Sequence, residues 1–252
     1  MDDRAVSELV GYVILFGMVV LVASTIVVVG TSTLADSRDR EQINNAEAAF
    51  EILAGNIDDQ ASDRAVGRST EIRVSSADLY FGAEEEFTVS VTPDGGTEQV
   101  YLMEGEPIVY ESEHGSKVVY SNGALFRETD QESRMVTEPG FKVDTERTVL
   151  PHTSISGSDQ YLSIGGSETV LVRTEQRTPR FYQNITADTY EIEIEVVTES
   201  ARATTWEGYL ETHDELDCET NEISDERSSV TCDPYTTSEL YIPETRLSGE
   251  FS

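Results

Sequence analysis

The sequence predicts an α+β fold: a long N-terminal helix, transmembrane in its first half and amphipathic in its second, followed by a mostly antiparallel, β-sandwich-like head. Three observations predict it. Residues 9–30 carry no charge, residues 35–63 keep an apolar seam at helical spacing, and from residue 70 the apolar period changes to two.

Leu9–Gly30 is a run of 22 uncharged residues. As a helix it reaches about 33 Å at ~1.5 Å per residue, against a bilayer core of ~30 Å. A removed secretory signal has a basic n-region, a shorter apolar stretch and a small-residue cleavage site. The leader here is only Met1-Asp2-Asp3-Arg4, so the run is expected to be kept as an anchor. Arg4 on one side and Arg38 and Arg40 on the other leave its orientation open by the Lys/Arg bias.

Beyond it, Ile43, Ala46, Phe50, Leu53 and Ile57 follow at spacings of three, four, three and four, with polar residues on the other faces. That seam predicts either an amphipathic continuation of the anchor or an ordinary first helix of a globular domain. The expected organisation is a leader over 1–4, a helix over 5–63 with its span at 9–30 and its stalk at 35–63, and a β-rich head over 70–252.

The head alternates in short segments. Phe87-Thr88-Val89-Ser90-Val91 and Gln99-Val100-Tyr101-Leu102 flank Pro93-Asp94-Gly95-Gly96, a hairpin signal. Ile108-Val109-Tyr110, Lys117-Val118-Val119-Tyr120 and Ala124-Leu125-Phe126 are separated by His114-Gly115 and Asn122-Gly123, which predicts a meander. Strands are predicted again at Arg134-Met135-Val136, Phe141-Lys142-Val143, Thr148-Val149-Leu150, Tyr161 to Ile164 and Thr169 to Arg173. Glu191-Ile192-Glu193-Ile194-Glu195-Val196-Val197 is the cleanest alternation, and Ala201 to Thr212 predicts one short helix with Trp206, Tyr209 and Leu210 on a face. Leu240 to Pro243 predicts a last edge strand. Strands at this density point to an antiparallel sandwich or barrel-like head.

Forty-nine acidic against 17 basic residues give a formal charge of −32. Phosphate affinity comes from basic clusters, so nucleic acid is excluded as a partner. Acids spread along the whole chain repel one another in dilute salt, whereas at ~1 M salt the screening length falls to ~3 Å. Adaptation to high salinity follows as an expectation. Cys218 and Cys232, 14 apart, predict one disulfide, since zinc needs about four ligands and His213 supplies only a third. Asn184-Ile185-Thr186 makes Asn184 a candidate N-glycosylation acceptor. Both features fit a head that faces outward.

No catalytic residue is nominated. His114, His152 and His213 lie far apart, no Gly-x-Ser-x-Gly elbow occurs, and Gly95-Gly96 and Gly165-Gly166 lack the lysine a phosphate loop needs. The acidic stretch Asp214 to Glu226 has carboxylates for calcium but neither the spacing nor the bend glycine of an EF-hand. The reading is of a non-enzyme without metal or cofactor.

Arg4, followed by Ala5-Val6-Ser7-Glu8-Leu9-Val10-Gly11 and the apolar run, resembles the N-terminal signature of haloarchaeal type IV pilins and archaellins. The likeness is strong over about the first 35 residues. A segment around Asn44 to Ile57, similar to one in haloarchaeal pilin-like membrane proteins, extends it to about residue 82. By this resemblance a prepilin peptidase cuts between Arg4 and Ala5, leaving the apolar helix in place. Glu8 stands where the commonest haloarchaeal pattern has proline, and it would be the fourth mature residue, whereas bacterial pilins carry their assembly acid fifth.

The resemblance implies a pilin-like, minor or adhesive, subunit of an archaeal type IV filament. Its partners would be the lipid bilayer, the peptidase and other pilin-like subunits, and its place the cell membrane, single-pass with the head outside. The alternative is a single-span surface protein that never polymerises and displays a β-rich binding head.

Overall fold

A computed structural model describes residues 3–62, 65–129, 132–158, 163–177, 180–184 and 188–252; side chains are described in all of these except 3–10, 27–36, 163 and 180–184. The chain divides into two units, Met1–Gln42 and Ile43–Ser252.

Helix α1 runs Asp3–Ala61. Among the described residues no helix is long and apolar enough to cross a membrane. The expected span over 9–30 is overturned, and with it the transmembrane part of the predicted fold class.

Among the described residues the larger unit holds three sheets, where a β-sandwich has two. The first runs β1 (Gly67–Arg73), β12 (Thr169–Gln176), β17 (Glu239–Phe251), β10 (His152–Gly157), with β13 (Arg180–Asn184) and β9 (Arg147–Val149) also on β17. The second runs β11 (Ser163–Gly166), β2 (Ala77–Phe81), β5 (Ile108–Ser112), β6 (Lys117–Ser121), β7 (Ala124–Glu128), β8 (Ser133–Thr137). The third runs β15 (Cys218–Glu222), β16 (Arg227–Thr237), β14 (Tyr190–Glu199), β3 (Glu85–Pro93), β4 (Gln99–Gly105). Pairing is antiparallel except where β9 and β10 lie parallel to β17.

The middle strands of the second sheet explain the third layer. Ile108, Tyr110, Val118, Tyr120 and Leu125 pack with one core, while Val109, Val119 and Phe126 pack with the other. A strand buried on both faces needs apolar residues in unbroken runs, and these strands have them. β14 buries one face only, Tyr190, Ile192, Ile194, Val196 and Thr198, with its glutamates turned outward.

One core is closed by the last part of α1. Ile43, Ala46, Phe50, Leu53 and Ile57 are buried against Ile72, Leu79, Val170 and Val172. Polar contacts fix the helix: Gln60 donates to the Thr174 carbonyl at 3.0 Å and accepts from the Thr174 hydroxyl at 2.6 Å, and Glu47 pairs with Arg127 at 3.0 Å and Arg134 at 3.2 Å. The other core is closed by α2, Ser200–Leu210, which follows β14 directly.

Turn chemistry places the strands. Asn122 and Gly123, with φ of 45° and 80°, make the two-residue turn between β6 and β7, a conformation asparagine and glycine tolerate best. Gly157 and Gly249 face each other across β10 and β17. A side-chain carbon at either would stand 2.6 or 2.7 Å from the Phe81 ring, which stacks on Phe251 at 4.3 Å. Phe141-Lys142-Val143 forms only the bridge Lys142 to Val149 rather than a strand.

Candidate functional site

The strongest concentration of buried charge lies where α2 leaves β14. Arg202, Ala203, Trp206, Tyr209 and Leu210 form the buried stripe of α2, which places a guanidinium in a core position. An unpaired charge there would be prohibitive, so partners are required. Arg202 Nη2 and Nε donate to Glu85 Oε1 at 2.7 and 3.1 Å, and Nη1 donates to Glu128 Oε1 at 2.8 Å. Glu199 Oε2 stands 3.5 Å from Nη1. Ser121 and Thr198 donate their hydroxyls to Glu85, Thr198 at 2.6 Å.

The two carboxyls are pushed in opposite directions. Burial alone would raise Glu85, but the Arg202 charge and the hydrogen bonds from Ser121, Thr198 and Arg202 outweigh it and hold the carboxyl below its ordinary value. Burial dominates at Glu128 and raises it, with Arg202 opposing. Burial would likewise lower Arg202, yet Glu85, Glu128 and Glu199 keep it charged. Divergent carboxyls are the pattern of an acid–base pair. Here both are tied to one buried guanidinium, so the arrangement joins β3, β7 and α2.

Beside this cluster is a small cavity of about 20 Å³ lined by Glu85, Ser121, Tyr120, Asn122, His152 and Trp206 among others. His152 is 3% exposed and burial pushes it down to about 3, so it is neutral. A wider recess of about 650 Å³ is lined by Lys142, Arg147, His213 and Glu239. Arg147 is committed to Glu239 at 2.6 Å and lies 5.9 Å over the Tyr241 ring.

The residues nominated from sequence are distinct from Glu85, Glu128 and Arg202. Cys218 and Cys232 are joined as a disulfide across the β15–β16 pair, so the stretch expected as an acidic loop is partly a hairpin. Among the described residues no group of three histidine, cysteine or acidic side chains is placed to hold a metal ion. Asn184 ends β13, with its backbone opposite Leu240; its side chain, and Ile185 and Thr186 of the sequon, lie outside the described residues. Arg4, Ala5 and Glu8 fall in α1, their side chains likewise outside. Large apolar side chains between Tyr12 and Ile26 are 46–68% exposed.

Sequence reasoning missed Glu85, Glu128, Arg202 and His152. One signal was present: Arg202 stands four residues before Trp206 and seven before Tyr209, on the apolar face of its helix.

The expectations that rested on a span fall together. Without one among the described residues, the bilayer, the prepilin peptidase and other pilin-like subunits lose their support as partners. So do a pilin-like filament subunit, a single-span surface protein and a single-pass placement in the cell membrane with the head outside. No curated protein and no solved structure matches the chain. The pilin and archaellin resemblance is replaced by a family whose activity is not described: its model covers residues 4–249, and the protein belongs to that family of unknown function (DUF7289).

Proposed function

We propose that Ile43–Ser252 is a non-catalytic, β-rich structural and binding module that keeps its shape in strong salt. The observation that carries this reading is the closure of its ionisable interior. Arg202, Glu85 and Glu128 satisfy one another, and the cavity beside them, of about 20 Å³, is too small for an organic substrate. A catalytic carboxylate must reach the proton it moves, and Glu85 is 8% exposed and Glu128 3% exposed. The charge of −32 supports a partner other than nucleic acid.

The test is turnover. Purified protein in ~1 M salt, where charge is screened within ~3 Å, is incubated with panels of ester, glycoside, phosphate-ester and peptide substrates. Rates equal to those of a heat-denatured control are expected for the parent and for Glu128→Gln. A rate above the control that Glu128→Gln or Glu85→Gln abolishes would overturn the reading.

A further inference from the structure

The cavity beside the Arg202 cluster gathers polar atoms that have no partner. Both ring nitrogens of His152, Nε1 of Trp206 and Nδ2 of Asn122 make no hydrogen bond within the protein, and all three residues line this one space. His152 and Trp206 are 3% and 0% exposed. Apolar walls come from Phe87, Ile155 and Val196, and the His152 ring is stacked on Phe87 at 5.7 Å. Asn122 is oriented by its own Oδ1, which accepts from the Thr153 amide at 3.0 Å.

The chemistry of the lining selects the guest. The unpaired indole and amide N–H groups are donors only, so they ask for a guest that accepts, which a metal cation cannot do. Glu85, Glu86 and Glu106 line the same space, so a halide is repelled by charge. A neutral imidazole offers one donor and one acceptor. What fits is a neutral group that accepts from Trp206 and Asn122 and also bonds His152. Size narrows it further, because a cavity of about 20 Å³ is little more than the ~10–15 Å³ that one water requires.

We propose that this cavity is a built site for a single long-lived water, held by His152, Trp206 and Asn122, which joins β10 and the β6–β7 turn to α2. The molecule adds α2 to the link that Asn122 Oδ1 already makes from the turn to the Thr153 amide of β10, and it satisfies groups that folding has removed from solvent.

The chain has one tryptophan, so its indole N–H is a single resonance. In the full-length ¹⁵N-labelled protein, water-selected NOE and ROE spectra are expected to show a cross-peak from Trp206 Nε1–H to water with the sign of a slowly exchanging molecule. His152→Phe, which fills the cavity with an apolar ring, should abolish that cross-peak while the indole resonance stays dispersed. If that variant fails to fold, Asn122→Gly reports instead. Glycine accepts the positive φ of the turn, and losing one donor should shift the indole resonance and weaken the cross-peak. Absence of the cross-peak in the parent overturns the proposal. So does its persistence unchanged in the variant that folds, or an indole resonance that moves when chloride replaces nitrate at constant ionic strength.

Discussion

Arg202 is the side chain on which the interior electrostatics turn. It is 0% exposed, and its fork spans a carboxyl held below its ordinary value and one raised above it. We predict that Arg202→Met costs ~3–5 kcal/mol at neutral pH, because two buried carboxylates then lack their counter-charge. The sign of the pH dependence follows from the two shifts. Glu85, lowered in the fold, contributes stability above the ordinary carboxylate value of 4.5 and loses it as pH falls through its folded value. In the variant the carboxyls are relieved by protonation, so the gap between parent and variant should narrow as pH falls from neutral toward about 4.5. Urea denaturation across that interval measures it. A gap that widens would mean that Arg202 is not what holds Glu85 ionised.

Among the elements, β15 is the one most dependent on covalent support. It is an edge strand of five residues whose register partner for Cys218 is Cys232, and Thr220 in it donates to Glu207 of α2 at 2.7 Å. Closing a loop of this length stabilises by ~3 kcal/mol. We predict that the Cys218→Ser/Cys232→Ser double variant loses about that much and that amide exchange rises first in β15 and in the last turn of α2. Uniformly faster exchange throughout the third sheet would contradict a local role. The second sheet needs no such bond. Its middle strands pack on both faces, and burial of Tyr110, Tyr120 and Phe126 supplies what the hairpin lacks.

For the whole molecule, the dominant quantity is the formal charge of −32 in 252 residues. Only two lysines occur, and carboxylates cover the outward face of β14 at Glu191, Glu193 and Glu195. Like charges at that density weaken the compact state unless screened. We predict that Tm rises steadily from low salt to ~1 M, where screening acts within ~3 Å, and rises equally in NaCl and KCl. A rise confined to one cation would instead indicate a bound ion. Circular dichroism melts in the two salts distinguish the cases.

Much of this architecture was legible in the residues. Val89, Val91, Ile192, Ile194 and Val196 alternate because one face of their strands meets the core; Asn122-Gly123 marks a turn because few other pairs accept its dihedral angles; Ile43, Phe50 and Leu53 recur at helical spacing because one stripe of the helix is buried. Less legible was the number of layers. Unbroken runs such as Ile108-Val109-Tyr110 signal a sheet covered on both sides, yet identical runs serve in sandwiches, and what covers each face is a matter of long-range contact. The uncharged run at 9–30 illustrates the opposite error, in which composition suggested an environment that the described helix does not support.

Composition and periodicity, then, were enough to determine acidity, strand-rich character, several turn positions and the inner stripe from Ile43 to Ile57, because these depend on neighbours within a few residues. The tertiary structure alone decided that Glu85, Glu128 and Arg202, drawn from three segments up to 117 residues apart, share one buried cluster, and that His152, Trp206 and Asn122 line one cavity. Those meetings arise from three-dimensional packing of distant strands, and a side chain's partners across such distances leave no period in the chain to read.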